Sequence, residues 1–175
     1  ALSILCVPII EKYPSDILES IYSLPDEVEV VEIRLDYMQS SNFRSLENAV
    51  DKLCDRKDRP AILTIRPERS GGEWEGGEKE RIELLKRGAQ CGMEFIDIEL
   101  DCAEQISFSE DSCRKIVSYH NFDETPSSLQ SIYEGCKDKG ADIVKIAAMA
   151  DDMSDTFSML EFLRKKGDKD TPFIS

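Results

Sequence analysis

Two residues set in apolar surroundings carry the chemistry this sequence could do, Lys145 and His120. Lys145 lies within Ala141-Asp142-Ile143-Val144-Lys145-Ile146-Ala147-Ala148, where its near neighbours are Val, Ile and Ala. His120, the only histidine in the chain, closes Ile116-Val117-Ser118-Tyr119-His120. Both runs are short, apolar and rich in β-branched residues, which predicts a buried strand for each. A lysine in low dielectric gives up its charge readily, and the neutral amine attacks carbonyls to form an imine. A histidine beside it would move protons near neutral pH. Together they point to a Schiff-base enzyme with a histidine acid/base. The bland alternatives are a lysine that snorkels or pairs with a carboxylate such as Glu99, and a core histidine bonded to backbone.

Three further residues could hold a substrate. Arg34 and Arg66 fall near predicted strand ends and Glu32 one pleat inside. The two arginines would orient carboxylate or hydroxyl groups of a small polar acid, or simply pair with Glu32 and other acids. The glycine-rich stretch from Ser70 to Glu78 lacks the Gly-Lys-Ser/Thr ending of a phosphate loop and is acidic. It is expected to be a flexible βα loop placed to act as a lid. Cys6, Cys54, Cys91, Cys102, Cys113 and Cys136 show no C-x-x-C and no finger-like spacing with the lone histidine. Six reduced cytosolic thiols acting as small hydrophobes are expected, and no zinc site.

These groups need a frame, and the chain supplies a regular alternation. Strands are predicted at 2–10, 28–35, 61–66, 95–100, 115–120 and 142–148, with a seventh opening at 172–175. Helices are predicted at 14–23, 43–54, 78–91, 126–138 and 153–166. Alternation at this spacing means a parallel sheet. In the second strand Glu32, Arg34 and Asp36 share one face while Val31, Ile33 and Leu35 share the other. In the fourth, Asp97 and Glu99 oppose Ile96, Ile98 and Leu100. Apolar faces toward helices and polar faces toward a common centre predict a (β/α)8 TIM barrel with its site at the carboxyl ends of the strands; the alternative is wet edge strands. Eight units need roughly 200 residues or more, and the 175 residues here stop at the opening of the seventh. The expected fold is a single domain over 1–175, a barrel truncated after about six and a half βα units. An end inside an apolar strand favours that over a smaller open sheet. No G-x-G-x-x-G follows the first strand, which argues against a dinucleotide fold.

Composition narrows the partners. The chain is 41% hydrophobic and 33% charged, a globular balance, with a formal net charge of −14. That charge argues against nucleic acid and anionic membrane surfaces. No apolar run approaches about 18 residues, and the start lacks the basic region of a signal peptide. A cytoplasmic location is expected.

Five stretches also carry a resemblance: Glu32-Ile33-Arg34-Leu35-Asp36, Thr64-Ile65-Arg66-Pro67, Asp97-Ile98-Glu99-Leu100, Ser118-Tyr119-His120-Asn121-Phe122 with Thr125-Pro126, and Asp142-Ile143-Val144-Lys145-Ile146-Ala147. In this order they resemble the type I 3-dehydroquinate dehydratases, barrel enzymes of the shikimate pathway of aromatic amino acid biosynthesis. The resemblance implies an imine between Lys145 and the C3 ketone of 3-dehydroquinate. It implies that His120 takes the C2 proton and returns it to the departing C1 hydroxyl, giving 3-dehydroshikimate and water. Glu32, Arg34 and Arg66 would hold the substrate hydroxyls. No metal or cofactor is required, and a homodimer is the implied assembly. Two departures stand out. The family glutamate four residues after the strand-three arginine is Ser70 here, with Glu75, ahead of Gly76-Gly77, as a substitute. The family's last two strands, with the carboxylate-binding arginine and a lid, are absent. Alternatives are another Schiff-base barrel such as an aldolase, a metal enzyme using Glu32, Asp97, Glu99 and His120, and a non-catalytic fragment of the barrel.

Overall fold

A computed structural model describes residues 4–40, 42–107, 113–166 and 172–174. Strands β1 (Cys6–Ile9), β2 (Val30–Arg34), β3 (Ala61–Thr64), β4 (Phe95–Glu99), β5 (Arg114–Asn121), β6 (Ile143–Ala148) and β7 (Phe173–Ile174) alternate with helices α1 (Pro14–Ser23), α2 (Phe43–Arg56), α3 (Glu78–Cys91), α4 (Leu129–Asp138) and α5 (Met153–Lys166). Helices α1, α3 and α5 begin and end where the sequence pattern places them. Residues 2, 3 and 175 of the expected first and last strands lie outside the described residues. The chain divides into two compact units, one over Leu2–Asp97 with Ile106–Arg114, the other over Ile98–Gln105 and Lys115–Ser175.

In the first unit β1, β2, β3 and β4 pair in parallel, with Arg34 opposite Thr64 and Thr64 opposite Asp97. Their apolar face meets helices whose buried stripes are Ile17, Leu18 and Ile21 on α1, and Leu46, Ala49, Val50 and Leu53 on α2. Each fully buried aliphatic of this kind contributes about 1.5–3 kcal/mol. Start signals are local: Pro14 opens α1, and Asn42 caps α2 by accepting from the Ser45 amide at 3.0 Å. At the start of α3, Glu80 reaches back to the Gly77 amide at 3.2 Å.

The glycine-rich loop, expected as a flexible lid, follows a defined backbone path. A 3-10 turn covers Glu68–Ser70, Gly71 takes the left-handed conformation, and the Trp74 amide donates to the Arg66 carbonyl at 3.1 Å. That bond ends β3 two residues earlier than expected, because the Arg66 carbonyl is turned to the loop. A Cβ on Gly72 would stand 2.0 Å from the Arg66 oxygen, so only glycine lets the loop lie this close to Arg66. Gly72→Ala is expected to displace the loop at a cost of about 1–3 kcal/mol; urea denaturation, with Trp74 fluorescence reporting the loop, measures both.

The thiol expectation fails at one pair. Cys54 on α2 and Cys91 on α3 are joined in a disulfide across a sequence separation of 37. No spacing motif announces it, since only the packing of α2 on α3 brings the two residues together. Cys102, Cys113 and Cys136 are buried as expected, whereas Cys6 is exposed, and burial pushes the Cys136 thiol up to about 12. Closing a loop of this length contributes about 2–4 kcal/mol. Dithiothreitol is therefore expected to lower the urea midpoint of the native protein and to leave that of Cys54→Ser unchanged.

In the second unit β5, β6 and β7 pair in parallel. Tyr133 of α4, Phe162 of α5 and Phe173 of β7 meet edge to face with centroids 5.5–6.0 Å apart. Helix α4 starts three residues later than expected. Thr125 donates its hydroxyl to the Met149 carbonyl at 2.7 Å, and the first helical bonds form only at the Ser128 carbonyl.

Candidate active site

Within the second unit, Lys145 projects from the middle of β6 between Val144 and Ile146, both fully buried on the opposite face. Its register partner on β5 is Ser118, and His120 stands opposite Ala147 two residues on. Alternation therefore puts Ser118, His120, Lys145 and Ala147 on one face of this strand pair. Lys145 and His120 are diagonal neighbours whose backbones lie roughly 8 Å apart, from strand spacing and rise. Both side chains are half-buried. An amine and an imidazole so placed can address adjacent atoms of one small molecule.

The loops beyond these strands hold them in place. Asn121 accepts from the amides of Asp123 and Glu124 at 2.9 and 3.1 Å, turning the chain directly after His120. The Phe122 ring stacks on His120 with centroids 6.2 Å apart, and the Met149 amide donates to the Asn121 carbonyl at 2.9 Å. Glu99, the carboxylate considered as a lysine partner, is buried at the end of β4, with the Cys102 thiol 3.8 Å from its Oε2.

The first unit gathers the other predicted residues. Arg66 and Asp97 form a buried two-pronged pair, Nη1 to Oδ1 at 3.0 Å and Nη2 to Oδ2 at 2.8 Å. Glu32 accepts from the Thr64 hydroxyl at 2.7 Å and lies 3.9 Å from Arg66 Nη2. Arg34 pairs with Asp36 rather than with Glu32, through Nε at 3.0 Å and Nη2 at 2.7 Å. Burial works against its charge, but the Asp36 carboxylate, with help from Glu32 and Tyr37, outweighs that and holds the Arg34 pKa above the ordinary arginine value. Thr64 and Asp36 carry no expected role from the sequence, and Asp97 only that of a metal ligand in one alternative. Their signal was faint: a polar residue on the same alternation as the arginines. Ser70 ends the 3-10 turn, whereas Glu75 lines a cavity of about 270 Å³ with Asp36, Phe43, Glu73 and Trp74. Among the described residues no group of three or more His, Cys, Asp or Glu side chains is placed to hold a metal ion.

The family model described as Type I 3-dehydroquinase matches residues 5–175. The chain belongs to that family. Among similar proteins, the 3-dehydroquinate dehydratase of Methanothermobacter thermautotrophicus is 37% identical over 164 residues, 91% of this chain and 72% of that protein. That of Methanococcus maripaludis is 33% identical over 172 residues, 94% of this chain and 76% of that protein. A crystal structure of a type I 3-dehydroquinate dehydratase from Clostridium difficile with covalently modified comenic acid is 26% identical. It covers 98% of this chain and 73% of its own, with a TM-score of 0.86. This type I dehydroquinase chain has the fold class expected from its sequence, a β/α barrel truncated relative to those proteins. No helix among its described residues is long and apolar enough to cross a membrane.

Proposed function

We propose that this dehydroquinase-family chain dehydrates 3-dehydroquinate through an imine on Lys145. The reaction is that of a hydro-lyase in the shikimate pathway, yielding 3-dehydroshikimate and water. Lys145 attacks the C3 ketone. The protonated imine is an electron sink that acidifies the neighbouring C2 proton, so elimination proceeds near neutral pH without a metal. His120 takes that proton and delivers it to the departing C1 hydroxyl. Arg34, Arg66 and Glu32 hold hydroxyl groups of the substrate, and Asp97 and Thr64 fix the last two in place. The protein works in the cytoplasm, as a homodimer.

The observation that carries this is the lysine and the lone histidine on one face of adjacent strands in a chain of this family. The deciding experiment is borohydride reduction in the presence of 3-dehydroquinate, followed by peptide mass mapping. A substrate-derived adduct on Lys145 is expected, together with the ultraviolet absorbance of a conjugated enone during turnover. An adduct without enone product would indicate an aldolase-type reaction on the same frame. No adduct would overturn the imine.

A further inference from the structure

We propose that Asp36 is a positioning residue that orients Arg34 toward the substrate and locks the glycine-rich loop to it. This rests on the assignment of Arg34 as a substrate contact. Asp36 lies in the 3-10 turn Leu35–Tyr37 directly after β2, its side chain fully buried. Both carboxylate oxygens are engaged by Arg34, as described, and Oδ2 also accepts from the Glu73 amide at 3.2 Å. The Tyr37 ring lies 4.8 Å from the Arg34 guanidinium carbon. The guanidinium is thus held on its Nε and Nη2 edge by Asp36 and on its face by Tyr37. Its Nη1 group donates to none of the described residues, which leaves two N–H bonds directed by the clamp.

The second half of the device is in the loop. The amides of Glu73 and Trp74 are consecutive, and they donate to different places: Glu73 to Asp36, Trp74 to the carbonyl of Arg66. The loop is therefore a strut between the position of Arg34, through Asp36, and that of Arg66. Gly72 lets the strut lie against Arg66, and the Trp74 indole closes the loop by donating to the Gly77 carbonyl at 3.3 Å. Removing the Asp36 charge frees one end of the strut and the orientation of one arginine together.

The test is steady-state kinetics with Trp74, the only tryptophan, as a reporter of the loop. Asp36→Asn is expected to raise KM for 3-dehydroquinate about 10-fold with kcat within about threefold, and to change both Trp74 emission and its response to substrate. A buried pair with only a structural role would lower the melting temperature and leave KM alone. Arg34→Ala should raise KM as well, and the double variant should be no worse than Arg34→Ala alone, because Asp36 acts through Arg34. Asp36→Glu keeps the charge and serves if the asparagine variant does not fold; a KM raised about threefold is expected there. Should Arg34→Ala leave KM unchanged, the substrate contact and this proposal fall together. Should Arg34→Ala raise KM while the Asp36 variants match the native protein, or the two effects multiply, the positioning role alone is overturned.

Discussion

Lys145→Met is expected to lower kcat by about 10⁴-fold or more and to abolish the borohydride adduct, while the protein stays folded. Methionine matches the length of the lysine stem and carries no charge. The strand should tolerate it, because β6 is anchored by Val144 and Ile146 on the other face and by pairing to β5 and β7. His120→Asn provides the contrast. Without its imidazole the imine should still form and be trapped, but elimination should slow by about 10²–10⁴-fold, the usual worth of a general acid/base. An adduct retained by the histidine variant and lost by the lysine variant separates nucleophile from proton carrier. Equal loss of trapping in both would mean that His120 is needed to form the imine, not only to eliminate water.

What the sequence made legible follows the range of the interactions involved. Helices α1, α3 and α5 lie where expected because their determinants are local: Pro14 opens α1, and Glu80 returns to the Gly77 amide at the start of α3. The polar faces of β2 and β4 were equally readable, since alternation alone decides which residues travel together. Pairing across strands was not. Glu32 meeting Thr64, and Arg66 meeting Asp97, depend on the parallel register, which no local pattern supplies. Arg34 could have paired with Glu32 or Asp36 on the same face, and the 3-10 turn after β2 decides for Asp36. The path of the loop follows the same rule: Gly72 permits a close approach to Arg66 that the Glu73 and Trp74 amides then hold. The Cys54–Cys91 bridge lay furthest from view, because it joins two helices separated in sequence by an entire strand and loop.

Asp97→Ala is expected to destabilise the protein by about 3–5 kcal/mol, the largest single-residue effect outside the apolar core. Arg66 is 3% exposed and Asp97 is fully buried, so the guanidinium cannot turn to water when its partner is removed. Glu32 at 3.9 Å compensates in part, which places the expected loss toward the lower end of the range. The Asp51–Arg87 pair on the surface is a control that separates distance from burial. At 2.5 Å it is shorter than the 2.8 Å contact of Arg66 with Asp97, yet both partners are exposed to solvent. Asp51→Ala is expected to leave the urea midpoint essentially unchanged, because exposed pairs exchange one well-solvated arrangement for another. Replacing both members of the buried pair, Arg66→Met with Asp97→Leu, should restore much of the lost stability while removing substrate binding. That outcome would mean the pair is kept for the substrate and not for the fold. A double variant as unstable as Asp97→Ala would instead make the ion pair part of what holds β3 to β4.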